Sequence, residues 1–445
     1  MSATNEPLWG GETTKAVENG PISGERGPVA VVRWLGRIKG AAARTNAELG
    51  LLDPDLAERI AAAGEAVAAG EHDDQFPIDV FQTGSGTSTN MNANEVLANL
   101  ASRTDPPAHP NDHFNMGQSS NDVFPSAVHL AALGETTSEL LPALEALESA
   151  LQAKADAFAD IVKAGRTHLV DVVPVTLGQE LAGYAAQVRL GARRVRRALP
   201  QVAQIPLGGT TTGTGLNTHP DFAAGVRAKL STATGLDILA PEDPFEGQAS
   251  RDALVELSGA LKVIAVSLTK IAGDLALMGS GPRVGIGELY LPELQKGSSI
   301  MPGKVNPVLP EVVLQVSAQV IGNDTAITIG GMQGQFELNV RIPLIARNLL
   351  QSIHLLATTC TAFREKCVEG IEANLPGCEA SAEGTLAVTT ALNPFIGYDR
   401  AAEIVKAASS SGGTLREVAR EHGVDEETLD KALDLRRIAA GSKAT

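Results

Sequence analysis

Cysteine is scarce in this chain of 445 residues: only Cys360, Cys367 and Cys378 occur. They lie close together without metal-ligand spacing, and their odd number argues against a disulfide framework. A chain of this length can bury a large core without such staples, and its 43% apolar content is ordinary for a soluble protein. A reducing compartment is expected. No apolar run reaches membrane-spanning length, and the opening residues MSATNEPLWGG lack the charged flank and apolar centre of a secretory signal. The expected location is the cytoplasm, with no membrane partner. Basic residues are also in deficit, 36 Lys and Arg against 52 Asp and Glu, for a formal charge of −16. Neutralising phosphates needs a basic surface, so no nucleic-acid partner is expected.

Helical patterns are present instead. From Asn121 to about Phe158 the chain is rich in Ala, Leu and Glu, with Asn121 or Asp122 as the expected N-cap. From Leu254 the residues Leu257, Leu261, Ile264, Leu268, Ile271, Leu275 and Met278 alternate at spacings of three and four, a heptad stripe that demands a partner helix. A second stripe runs Ile345, Leu349, Ile353, Leu356, Cys360, Phe363 and Cys367, and Thr176 to Leu199 reads as a further helix. Several long helices with glycine-rich connections imply a mainly α bundle. Residues 1–118 read as a cap domain of short helical pieces, such as Asp55 to Ala69, among Gly- and Pro-marked loops. Residues 119–375 read as the central bundle. Residues 376–445 read as a small helical domain in which Asp399 and Thr414 can cap helices, Ser409 to Gly413 breaks one, and Gly423 ends the next.

The stretch Gly297-Ser298-Ser299-Ile300-Met301-Pro302-Gly303-Lys304-Val305-Asn306-Pro307 packs hydroxyls, a cation and an amide between residues that break regular structure. Such a loop is built to close over an anion, because glycines let N–H groups converge while Lys304 and Asn306 supply a charge and a planar hydrogen-bonding head. It is not a phosphate-cradling P-loop, since five residues separate its glycines and Val305 follows the lysine. The glycines at 208–215 lack the preceding strand of a dinucleotide loop and read as a tight turn supporting the site. His109 and His113 have i,i+4 spacing, but Pro110 disrupts a helix there and no third ligand follows, so no metal is expected.

GSSIMPGKVNP resembles the signature of the fumarase/aspartase superfamily of lyases. Segments in the same order resemble that family too: TGSGTSTNMNANEV from Thr83, HPNDHFNMGQSSND from His109, GRTHLVDVVPVTLGQE from Gly165, PLGGTTTGTGLN from Pro206 and NPFIGYDRAAEIVKAA from Asn393. The resemblance implies a three-domain helical subunit whose five-helix bundles build a twenty-helix core in a homotetramer, with active sites shared between subunits. It further implies a lyase of small dicarboxylates that works without cofactor or metal. Thr167-His168, Pro302-Gly303-Lys304 and Ser119-Ser120-Asn121 take the fumarase form, which implies reversible conversion of (S)-malate to fumarate and water in the tricarboxylic acid cycle; the alternative is an aspartate ammonia-lyase or another fumarate-releasing lyase.

Removing water from malate takes a proton from the carbon beside a carboxylate, leaving an aci-carboxylate with a second negative charge to be stabilised. On the family pattern, Ser298 takes that proton and Lys304 and Asn306 meet the developing charge. His168, with Thr167, works from the opposite side through the departing water, and Glu311 orients that histidine. Ser85, Thr87, Ser119, Ser120, Asn121 and Ser299 match positions that bind the substrate carboxylates. His109, Asn111 and Asp112 match a second dicarboxylate site, although the preceding residues 104–108 hold no basic residue.

Overall fold

The computed structural model describes residues 7–441; residues 1–6, on which the leader reading partly rests, lie outside the described residues. The chain is mainly helical and forms two compact units. One comprises Met1–Pro142, Gly191–Ala265 and Ala318–Ala357, the other Ala143–Leu190, Val266–Ser317 and Thr358–Thr445.

In the first unit, helices α1 (Val29–Glu48) and α2 (Pro54–Ala69) pack closely. Sequence patterning picks out α2, which Asp53 caps by accepting Leu56 N–H and which Gly70 ends in the left-handed region. It misses α1, whose Gly36 and Gly40 fall in a region read as short helical pieces among Gly- and Pro-marked loops. These glycines are there for contact: a Cβ on Gly36 would sit 2.6 Å from the Gly64 carbonyl. It also misses α3 (Thr87–Ala101), whose Asn-rich sequence favours loops. Tertiary hydrogen bonds override that preference, with Asn92 donating to Gln75 O and Asn94 to Asn115 Oδ1.

The expected helix from Asn121 is interrupted. Helix α4 (Ser120–Glu135) passes through a π turn at Thr136–Leu140 into α5 (Leu141–Ala157). Its N-cap is Ser119 rather than Asn121 or Asp122, with Asp122 closing a capping box.

The second unit holds a hairpin of β1 (Val162–Thr167) and β2 (Val170–Thr176), running on into α6 (Leu177–Val202). The two apolar stripes belong to α7 (Asp252–Met278) and α9 (Ile342–Lys366), the second running one residue past α9 to Cys367, and every residue of both is buried. Between these two helices the chain forms α8 (Val308–Gly331). The thiols are core groups, burial pushing Cys360 and Cys367 up to about 12. Near the C-terminus, α10 (Tyr398–Ser411) has Gly397 at its N-cap and Asp399 only in its first turn, whereas α11 (Leu415–Glu421) is capped by Thr414 as expected. Val388, Ile404, Leu415, Val418 and Leu429 form a local core there. Among the described residues, no helix is long and apolar enough to cross a membrane.

Candidate active site

Two helix N-termini bring the hydroxyls of the first unit together. Thr87 opens α3 and Ser120 opens α4, and their oxygens lie 2.8 Å apart. Ser85 Oγ joins the chain, 2.7 Å from Thr87 Oγ1. N–H groups left over in a helix's first turn and the positive end of its dipole both favour an anion. These are neutral donors, which can meet an anion in a chain whose formal charge is −16. Gly86, at φ +76°, caps α3 and faces the Phe124 ring where a Cβ would stand.

Asp122 holds this arrangement from behind. It is fully buried and accepts N–H bonds from Ser119 (2.8 Å), Gly208 (2.9 Å) and Thr210 (3.0 Å), tying the start of α4 to the glycine-rich loop. Asn121 Nδ2 donates to Thr211 O in the same loop. Burial pushes the Asp122 carboxyl up to about 6 against the pull of those N–H donors. The expectation that the 208–215 glycines support the site agrees with these bonds. Asp122 as the hub was missed, and the Ser-x-x-Asp pattern from Ser119 was the signal for it.

In the second unit, the residues from Gly297 to Asn306 form a closed loop before α8. Gly297 N–H donates to Lys304 O and Asn306 Nδ2 to Gly297 O, both at 3.0 Å; a Cβ on Gly297 would run into that Lys304 carbonyl. Ser298 Oγ accepts the N–H groups of Ile300 (3.2 Å) and Met301 (3.1 Å). Two fixed dipoles aimed at one hydroxyl oxygen lower the cost of giving it negative charge. Lys304 and Ser299 are exposed, and Asn306 keeps its second amide hydrogen free of the Gly297 bond.

Thr167 and His168 stand exposed at the end of the hairpin, where Thr167 pairs with Val170. His168 and Leu169 form the two-residue turn with φ of 56° and 60°. That is the type I′ geometry which normally requires Asn or Gly, so the imidazole is presented on a strained turn. Glu311 is exposed in the first turn of α8, and no hydrogen bond or ion pair joins it to His168 among the described residues. His109 accepts N–H bonds at Nδ1 from Asn111 (3.3 Å) and Asp112 (3.1 Å) within its own loop.

A family model described as lyase matches residues 1–322, and one described as fumarase C C-terminus matches residues 388–440. The chain is 52% identical over 439 residues to the class II fumarate hydratase of Corynebacterium glutamicum, covering 97% of this chain and 93% of that one. The chain belongs to the class II fumarases. The class II fumarate hydratase of Mycobacterium tuberculosis is likewise 52% identical over 438 residues, 97% of this chain and 92% of that one. The crystal structure of a class II fumarase from Schistosoma mansoni superposes with a TM-score of 0.94 at 38% identity, covering 98% and 96% of the two chains. The helical architecture expected from the stripes is therefore the class II fumarase fold.

Proposed function

We infer that this class II fumarase chain is a fumarate hydratase, interconverting (S)-malate with fumarate and water by anti elimination through an aci-carboxylate. The observation that carries the chemistry is the Ser298 hydroxyl oxygen facing two backbone N–H donors within a loop that also bears Lys304. In this reading Ser298 removes the proton, and Lys304 with Asn306 meets the charge that accumulates on the adjoining carboxylate. The hydroxyl chain of Ser85, Thr87 and Ser120, with Ser119, Asn121, Thr167 and Ser299, binds the carboxylates as neutral donors. His168, oriented by Glu311, handles the departing water, a task suited to imidazole because it titrates near neutrality. His109, Asn111 and Asp112 form a second, weaker dicarboxylate site.

The same reading makes the protein a cytoplasmic homotetramer whose active sites draw on several subunits, divided at residues 1–118, 119–375 and 376–445. The local core around Ile404 and Leu415 supports the last of these boundaries. The chemistry is tested by incubating purified protein separately with malate and with aspartate and following the ultraviolet absorbance of the conjugated diacid. Absorbance should rise with malate; a rise with aspartate alone would overturn the reading in favour of an ammonia-lyase.

A further inference from the structure

Beneath the His168 turn lies a buried ionic cluster with no assigned part in the reaction. Glu288 has no exposed surface. Its Oε1 accepts from Arg166 Nη1 and from Ser381 Oγ, both at 2.8 Å, and its Oε2 lies 3.1 Å from Lys163 Nζ. Lys163 also meets Glu180 at 3.0 Å. Glu288 is itself fixed by its backbone, its N–H donating to Met278 O and its carbonyl accepting from Asn374 N–H.

Lys163 and Arg166 both belong to β1, and in a regular strand residues three apart point to opposite faces. Both nonetheless reach Glu288, and the register shift between Ala164 and Arg166 lies in the partner strand, where β2 carries the extra residue and Val172 and Val173 face Gly165. Gly165 makes room for that bulge, since a Cβ there would sit 2.5 Å from the Val173 carbonyl. The next two residues are Thr167 and His168. A buried carboxylate thus clamps, through two cations, the strand that ends in this turn, and a bulge with its facing glycine lies in the same hairpin. Left-handed conformations at His168 and Leu169 persist only if the surroundings over-determine them.

We propose that Glu288 is a positioning residue for His168, acting through Lys163 and Arg166 to hold the hairpin turn in its reactive conformation. This rests on the role given to His168 above. Glu288→Gln keeps the shape and the contact with Ser381 but removes the charge that clamps both cations. It should lower kcat at least tenfold while KM changes less than twofold, because the carboxylate-binding hydroxyls and the Ser298 loop are untouched. A general loss of packing would instead reduce the amount of folded enzyme and leave kcat per folded site unchanged.

The decisive measurement is the pair of variants Glu288→Gln and His168→Asn, alone and combined, with folded fraction checked by circular dichroism. If Glu288 acts through His168, the double variant is no slower than His168→Asn alone. An equal loss from Glu288→Gln in both backgrounds, or no loss at all, overturns the proposal. Full activity of His168→Asn would instead sink the role of His168 itself. Should Glu288→Gln not fold, Arg166→Gln replaces it in the same cycle, removing one arm at the cluster's edge and leaving the Lys163 pair in place, with the same outcomes read in the same way.

Discussion

Ser298 and Lys304 lie in one loop, yet their replacement should harm the enzyme differently. On the proposed mechanism the Ser298 hydroxyl matters when the proton moves, so Ser298→Ala should cut kcat by about 10²–10⁴-fold and leave the affinity for a dicarboxylate analogue, measured by calorimetry, nearly intact. An unchanged maximal rate would reject this serine as the base. Lys304 carries its charge in the ground state as well as the transition state, so Lys304→Met should weaken binding and slow turnover, lowering kcat/KM by about 10²–10³-fold. Steady-state kinetics at fixed ionic strength distinguish the two patterns. Both were picked out in the sequence because one short loop, marked by its glycines and prolines, carries them together. Asp122 and Glu288 were not, because each acts through partners distant in the chain, Gly208 and Thr210 in one case, Lys163 and Arg166 in the other.

At the scale of elements, the start of α3 depends on a glycine that no other residue can replace without strain. Gly86→Ala would need φ +76° and would push its Cβ into Phe124, so the first turn bearing Thr87 must move. A loss of about 1–3 kcal/mol is expected from overpacking alone, read as a lower urea midpoint, together with a raised KM as Thr87 leaves Ser120. A wild-type midpoint and KM would show that α3 tolerates the shift. The stripes on α7 and α9 were readable because an apolar seam at seven-residue spacing survives any surroundings. What escaped included α1, whose glycines serve contact with α2, α3, whose asparagines find tertiary partners, and α8. In α1 and α3, local preference points one way and packing the other, and packing wins. The Ser119 cap was misplaced by two or three residues for a related reason: four consecutive residues of capping type compete, and only the reciprocal bond from Asp122 decides.

Across the whole molecule, buried titratable groups set the response to acid. His129 is enclosed with its Nδ1 against Val202 O and its Nε2 near Arg251, and burial holds its pKa down at about 3. Its folded value lies below the ordinary 6.5, so its contribution to stability is complete above pH 6.5 and is lost progressively as pH falls towards 3. His129→Gln should flatten the fall in urea midpoint across that window; an unaltered slope would remove His129 from the account. Assembly is the larger matter. On α8, Val313, Val320 and Ile327 form one buried seam at seven-residue spacing, while Leu314 and Ile321 begin a second, exposed seam one residue round the helix, with Ile329 50% exposed beyond. Exposed apolar residues beside a buried seam suit a helix that is covered on more than one side in a bundle. On α7, Val266 is 56% exposed although the opposite stripe is fully buried. Those bare faces fit the proposed twenty-helix core, in which other subunits would cover them. Burying a carboxylate without a partner there is strongly unfavourable, so Val266→Glu should shift the protein from tetramer to smaller species by light scattering. Activity should fall in step, because the active sites are proposed to draw on several subunits. Retention of tetramer mass together with full turnover would place Val266 outside the interface, and monomers with full activity would overturn the shared site.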